Sequence, residues 1–156
     1  MKKILFTLLA VSALYACGNQ NGTPAASGTG TEKKEASANP SYDPQRGEGK
    51  FTTVDVSPTL DAAMAENGSK IYGVKCSSCH KTTGEKLVGP GWKGVTQRYS
   101  APWIMNFITN TDEMLTKDPK AQAQLEICLV RMPNQNLSDA DARSLYEFMR
   151  KNDGVK

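Results

Sequence analysis

The chain has 156 residues and a formal net charge of +3, with 38% hydrophobic and 7% aromatic residues. This length suits one domain, and the small charge excludes the strongly basic surface that is typical of nucleic-acid-binding proteins. Apolar side chains are few for a core of this size, so either part of the chain lies outside the core or another group fills the interior.

Residues 1–16 have the pattern of an export signal. Lys2 and Lys3 precede an apolar run at 4–14, which is well short of the roughly 20 residues that a membrane-spanning helix needs. A short apolar run of this kind is removed after export rather than retained. The sequence therefore predicts a signal peptide over 1–16.

The leader ends in Leu14-Tyr15-Ala16-Cys17, which resembles the lipobox of bacterial lipoproteins. In that pattern cleavage falls before the cysteine, whose thiol and new amine are acylated. Acyl chains anchor a protein durably because each buried methylene contributes about 0.8 kcal/mol. We therefore expect lipidation at Cys17 and a location on the periplasmic side of a bacterial membrane. An ordinary secreted protein with a spare cysteine is the alternative.

The segment 17–50 is rich in small, polar and charged residues, and Tyr42 is its only aromatic residue. Such a composition buries too little apolar surface to form a core. We therefore predict a flexible linker over 17–50 and one folded domain over 51–156.

The first predicted helix leads directly into a pair of cysteines. Ser57 is its expected N-cap, and Pro58 suits a first helical position. Its apolar stripe has the spacing of three and four that a helix requires, and it comprises Met64, Gly68, Ile71 and Tyr72. Gly68 costs about 1 kcal/mol relative to alanine there, so another part of the chain should approach it closely.

Three further helices are predicted at 101–110, about 119–129, and after Ser138. The last helix is the clearest, because Ser138 and Asp141 have the spacing of a capping box. Its apolar face comprises Ala142, Leu145, Phe148 and Met149. Strand-type alternation is confined to about 51–56, so the predicted domain is all-α with long loops.

The segment Cys76-Ser77-Ser78-Cys79-His80 has the c-type haem attachment pattern. In that pattern the two thiols add to the vinyl groups of haem, and the following histidine lies under the iron. His80 is the only histidine in the chain, so it is the expected proximal ligand.

Three other chemistries use the same residue types. A thioredoxin-like dithiol requires a strand before the motif, whereas a helix precedes it here. A Cys₃His zinc site would need Cys76, Cys79, His80 and the remote Cys128. In such a site the adjacent residues Cys79 and His80 would have to coordinate the same ion, which is a strained arrangement. A disulfide between Cys76 and Cys79 is the third alternative in an oxidising compartment.

Because the chain has no second histidine, the distal position must be taken by a methionine or a lysine, or be left empty. Met64 and Met149 belong to helix stripes and are better interpreted as core residues, while Met105 and Met114 remain open. Met132 stands on a loop before the last helix, and the following Pro133 restricts the backbone beside it. Met132 can therefore face the iron.

In this order of motifs the chain resembles the bacterial class I cytochromes c. The motifs are Gly68 in the first helix, "CSSCH", "VGPGW", "RMP" and "LYEFM", and together they extend over about residues 60–151. The resemblance implies a fold of three to five helices wrapped around one covalently bound haem.

The resemblance also implies roles for individual residues. Cys76 and Cys79 would hold haem c, and His80 and Met132 would be its axial ligands. The ring N–H of His80 would donate to the carbonyl of Pro90. Arg98 and Trp103 would lie near the haem propionates, and Gly68 would meet Phe148 at a helix crossing. Cys128 has no place in the pattern, and its expected role is a small buried side chain.

Two strong axial ligands would leave no open iron position. The sequence therefore predicts an electron carrier that is not an enzyme, with redox proteins as partners and no small-molecule substrate. A local excess of five positive charges suggests a basic docking face for acidic partners; it comprises Lys70, Lys75, Lys81, Lys86, Lys93 and Arg98 against Glu85. A five-coordinate haem sensor, a small haem enzyme and the zinc-stabilised module are the alternatives.

Overall fold

The computed structural model describes residues 42–156. Six helices occupy this range, and they are α1 (Ala62–Lys75), α2 (Val95–Arg98), α3 (Ala101–Thr109), α4 (Thr111–Lys117), α5 (Pro119–Cys128) and α6 (Asp139–Asn152). Within these residues the only β-type pairing is an isolated bridge between His80 and Lys86. The all-α prediction is confirmed. The signal peptide, Cys17 and most of the predicted linker lie outside the described residues.

Helix α1 begins four residues later than its predicted start. Asp61, not Ser57, is the N-cap, and its carboxylate accepts a hydrogen bond from Met64 N at 2.9 Å. The carbonyls of Ser57 and Pro58 instead accept hydrogen bonds from Arg150 Nη2, at 2.6 and 3.5 Å. These bonds hold the preceding segment against α6. Met64, which the stripe placed in the core, is 39% exposed.

Helix α6 begins as predicted. The Ser138 hydroxyl accepts a hydrogen bond from Asp141 N at 3.1 Å, and the Asp141 carboxylate accepts one from Ser138 N at 3.2 Å. Both halves of the capping box are therefore present. This motif sets the register that turns Leu145 and Met149 into the core.

Helices α1 and α6 cross at Gly68, where their backbones almost touch. A Cβ on Gly68 would overlap the carbonyl of Ser144 and would lie 2.8 Å from Phe148 Cβ. Asn67 Nδ2 also donates to Ser144 Oγ at 3.1 Å. The predicted close approach is confirmed, and this crossing fixes where α1 delivers the two cysteines.

Residues 42–51 form a strap that lies against α3, α4 and α5. Asn106 is fully buried, and its side chain binds only strap backbone: Oδ1 accepts from Phe51 N at 2.9 Å, and Nδ2 donates to Arg46 O at 2.8 Å and Phe51 O at 2.9 Å. The Tyr42 hydroxyl donates to the buried Asp118 carboxylate. The structure thus packs residues 42–50, which were assigned to the linker, onto the domain.

Two glycines let the strap approach the helices. Gly47 has a positive φ of 63°, and a Cβ there would lie 2.6 Å from the sulfur of Met114. A Cβ on Gly49 would overlap the side chain of Asn106. Composition gave no sign of this packing, because apart from Tyr42 the helices bind the strap mainly through its backbone and through missing side chains.

No helix in the range 42–156 is both long and apolar enough to cross a membrane.

The Gly68 crossing can be tested by comparing two alanine substitutions in α1. Gly68→Ala should lower the free energy of unfolding by about 1–3 kcal/mol, because the new methyl group would overlap a backbone carbonyl. Gly73→Ala is the matched control, since a Cβ there meets nothing within 4 Å. It should raise stability by about 0.5–1 kcal/mol. Denaturant unfolding measures both, and an equal effect of the two changes would contradict the close crossing.

Candidate cofactor site

The attachment segment is a turn that follows directly from α1. Cys76 is the C-cap of the helix, and its N–H donates to Tyr72 O at 2.9 Å. The N–H groups of Cys79 and His80 both donate to Cys76 O, at 3.1 and 2.9 Å. The chain therefore reverses tightly between the two thiols. Ending α1 at this point brings Cys79 and His80 to one wall of a cavity.

The thiols of the attachment segment are free. Cys76 is buried, Cys79 is half-buried, and neither forms a disulfide. Burial raises the pKa of the Cys76 thiol to about 11, with a smaller opposing effect of Lys75. Cys79 lines the same cavity as His80, whereas Cys76 is not part of its lining.

His80 is oriented by a single backbone oxygen. Its Nδ1 lies 2.9 Å from the carbonyl oxygen of Pro90. A carbonyl can only accept, so Nδ1 carries the proton and Nε2 keeps its lone pair. Burial lowers the pKa of His80, against the opposing effect of the Pro90 hydrogen bond. The neutral imidazole is the form that binds iron, and the Pro90 bond makes it a stronger donor.

Gly89 fits against the face of this imidazole. A Cβ on Gly89 would lie 2.8 Å from both ring nitrogens and still closer to Cε1. The Gly89 N–H donates to Cys79 O at 2.9 Å, which fixes the loop beside the attachment turn. No separate role was predicted for Gly89 from the sequence. Its position before Pro90 is the signal that could have identified it, because a Gly-Pro pair marks a tight turn.

Tyr72 is a second residue without a predicted role at the site. Its hydroxyl donates to the carbonyl of His80 at 2.6 Å, and its ring lies 4.9 Å from the Trp92 ring centroid. The contact links α1 to the ligand segment. Helical periodicity marked Tyr72 only as an apolar stripe residue, since the polar contact depends on the fold.

A cavity of about 430 Å³ opens in front of His80. This volume lies in the range of ordinary small-molecule and cofactor sites. Most of its lining is apolar, including Trp92, Val95, Tyr99, Ile104, Phe107 and Leu125. A large apolar group fits this site, and such a group accounts for the small number of core side chains in the composition.

Met132 lies in the lining of the same cavity as His80. It is half-buried on the loop between α5 and α6. Met105 and Met114 are buried outside the cavity lining, and Met114 sulfur accepts a hydrogen bond from Glu48 N at 3.0 Å. Met149 also lines the cavity, but α6 holds it in the core. Met132 is therefore the loop methionine that shares the cavity with His80.

Arg98 and Trp103 line the cavity, but their polar groups already have protein partners. Arg98 donates from Nη1 to Lys93 O at 2.5 Å and from Nη2 to Gly91 O at 3.2 Å. Trp103 donates from Nε1 to Asp118 at 2.8 Å. Their proposed place beside the propionates of a haem stays a prediction.

The alternative zinc site does not form among residues 42–156. No group of three or more His, Cys, Asp or Glu side chains in this range could hold a metal ion. Cys128 is free, half-buried and part of the cavity lining. It does not join Cys76, Cys79 and His80 as a ligand set.

Comparisons with known proteins agree with this geometry. The sequence profile of the cytochrome c family matches residues 65–153. The solved structure of a cytochrome c from Rhodothermus marinus has a TM-score of 0.65 and 28% identity, and the match covers 67% of this chain and 90% of that one. An engineered cytochrome c from the same organism, bound to a carbene intermediate, has a TM-score of 0.62 and 27% identity with the same coverage. No curated protein matches the chain.

The role of Gly89 can be tested at the His80 ring. In Gly89→Ala the new methyl group would overlap the imidazole, so the ring must turn away from Pro90 and stability should fall by about 1–3 kcal/mol. Nuclear magnetic resonance can follow the ring, because His80 is the only histidine in the chain. Gly84→Ala is the control, since a Cβ there meets nothing within 4 Å. Unchanged His80 resonances in Gly89→Ala would contradict the contact.

Proposed function

Because the chain belongs to the cytochrome c family, we propose that it carries single electrons between redox proteins, with His80 and Met132 as the axial ligands of its iron. The family binds one covalent haem c, and the haem supplies a one-electron couple when bound. The observation that carries the proposal is that His80 and Met132 line one cavity. Cys76 and Cys79 are the thiols that hold the group.

The proposed ligand pair accounts for how the surroundings of His80 are built. The Pro90 carbonyl keeps Nε2 unprotonated, and the absent side chain of Gly89 leaves the space that the ring needs in this orientation. An imidazole held in this way needs little rearrangement when the charge of the iron changes. The thioether of Met132 favours the reduced state and raises the reduction potential.

Occupation of both axial positions leaves no iron site for a substrate. For this reason we propose that the protein is an electron carrier rather than an enzyme, without a small-molecule substrate. A five-coordinate sensor or small haem enzyme would instead keep an open distal position. The spectrum of the loaded protein distinguishes these functions, since carbon monoxide binds readily only when a position is open.

We also propose that the protein works at the periplasmic side of a bacterial membrane, anchored by lipid at Cys17. This part of the proposal is supported by the leader 1–16 and the lipobox-like sequence alone. A tethered carrier would meet redox partners that occupy the same membrane surface.

The basic docking face is a further part of the proposal. Lys86, Lys93 and Arg98 lie at the cavity, where the haem edge would be accessible. Lys70 and Lys81 are each paired with an acidic neighbour, Glu66 and Glu85, which reduces their field. The remaining positive charge near the cavity favours acidic partners.

Replacement of Met132 tests the distal ligand. Met132→Ala should abolish the sulfur-to-iron charge-transfer band of the oxidised protein and make the reduced protein bind carbon monoxide. Met149→Leu tests the other methionine in the cavity and should leave the band in place. Met64→Ala is the control far from the cavity lining. A band that survives in Met132→Ala and disappears in Met149→Leu would transfer the ligand role to Met149.

Ionic strength tests the docking face. The rate of electron transfer to an acidic redox protein should fall about tenfold between roughly 0.01 M and 0.5 M salt, because screening removes long-range attraction. Lys93→Gln should lower the low-salt rate and reduce this dependence, whereas Lys151→Gln on the exposed end of α6 should do neither. Rates that do not respond to salt would exclude electrostatic docking.

A further inference from the structure

The loop that carries Met132 has almost no backbone attachment to the domain. In the described part of the chain, residues 130–137 make no backbone–backbone hydrogen bond. Two bonds within the loop involve side chains: Gln135 Nε2 donates to Pro133 O at 3.2 Å, and Asn136 N donates to Asn134 Oδ1 at 2.9 Å. Leu137 packs against the core at the end of the loop. The position of Met132 must therefore depend on other contacts.

Three cationic side chains supply those contacts. At the α5 end, Lys86 Nζ donates to Ile127 O at 2.7 Å. Next to Met132, Arg131 Nη2 donates to Asp112 at 3.1 Å for the carboxylate and 3.3 Å for the carbonyl oxygen. The first bond fixes the last turn of α5, from which the loop starts, and the second holds the loop itself beside Met132. Beyond Met132, the third bond holds the second half: Lys75 Nζ donates to Gln135 O at 3.0 Å.

Two of these cations flank the attachment segment, and one of them, Lys86, also lines the cavity. Lys75 is the last residue of α1 and directly precedes Cys76. Lys86 stands in the loop that follows His80, with which it forms the isolated bridge. Their ammonium groups thus connect the attachment region to two points near Met132: Lys75 binds the loop at Gln135, and Lys86 binds the end of α5 at Ile127. Arg131 adds an anchor to α4.

We propose that Lys75, Lys86 and Arg131 are positioning residues that hold Met132 over the cavity. This inference rests on the proposed ligation by Met132. All three residues are exposed, so each contact is weakened by solvent and should change the closing equilibrium of the loop by only about fivefold. Together they bias how often the loop opens, because no backbone–backbone hydrogen bond holds residues 130–137.

The same lysines were predicted to act outwardly, as part of a docking face. In the structure Lys75 and Lys86 donate to carbonyl oxygens of the protein. These hydrogen bonds leave the positive charges in place but fix their positions. A partner that draws these ammonium groups away would therefore also loosen the Met132 loop. The two roles make different predictions for variants of these lysines studied without a partner. A docking role alone predicts no change in the Met132 loop of the isolated protein, whereas a positioning role predicts that the loop opens more often.

Imidazole binding to the isolated, haem-loaded, oxidised protein tests the inference. Imidazole competes with the distal ligand, so its apparent affinity rises in proportion to the population of the open loop. Removal of all three contacts in Lys75→Ala/Lys86→Ala/Arg131→Ala should raise that affinity by roughly a hundredfold if the contacts act independently. The sulfur-to-iron charge-transfer band should weaken in the same variant. Lys86→Arg, which retains a charged donor, should stay within about threefold of the wild type.

The control removes the same number of positive charges elsewhere. Lys70→Ala/Lys117→Ala/Lys151→Ala eliminates three exposed cations that do not contact the loop, and it should leave the affinity and the band unchanged. Equal affinities in the two triple variants would overturn the positioning role. A wild type with no charge-transfer band would instead overturn ligation by Met132, and the positioning role with it. A similar unfolding transition in both variants shows that the fold is retained.

Discussion

The hydrogen bond between His80 and the Pro90 carbonyl is the contact from which the site is organised. A carbonyl oxygen can only accept a hydrogen bond, so this bond selects the tautomer of His80 with the proton on Nδ1 and turns Nε2 toward the cavity. The absent side chain of Gly89 leaves the space that the ring occupies, and Tyr72 holds the backbone of His80 from the side of α1. The orientation of His80 is therefore set by its neighbours in the chain.

The two walls of the cavity are held in different ways. The attachment wall follows α1, whose crossing with α6 is set by the missing side chain of Gly68 and cannot shift without a backbone clash. Around Met132, exposed cations contact the loop at Gln135 and through Arg131, and Lys86 binds the end of α5. Under the proposed ligation, the His80 side would therefore be rigid, and the Met132 side would be held lightly enough for the surface to influence its dissociation.

Much of this architecture can be predicted from the sequence, and the features that were not predicted have physical causes. The capping box of α6, the glycine of α1 and the attachment pattern act over a few positions, so local spacing revealed them. Helices α2 and α4 were missed because they are short and have no apolar stripe of their own. The partners of Arg98 and Trp103 are backbone or buried groups that only the fold brings near. The packing of residues 42–50 was not predicted, because backbone atoms make most of their contacts with the helices.

The strap has a consequence for how this family member can vary. Asn106 and Asn110 form hydrogen bonds with backbone carbonyl and N–H groups of the strap. Every amino acid except proline provides both groups. Strap positions that bind only through the backbone can therefore vary among many residue types without loss of docking. Tyr42 and Phe51 are exceptions, because Tyr42 binds Asp118 through its side chain and Phe51 packs against the core. Gly47 and Gly49 are exceptions too, because a side chain there would collide with Met114 or Asn106. Related chains should preserve the Gly-x-Gly pair within a stretch that varies at most other positions.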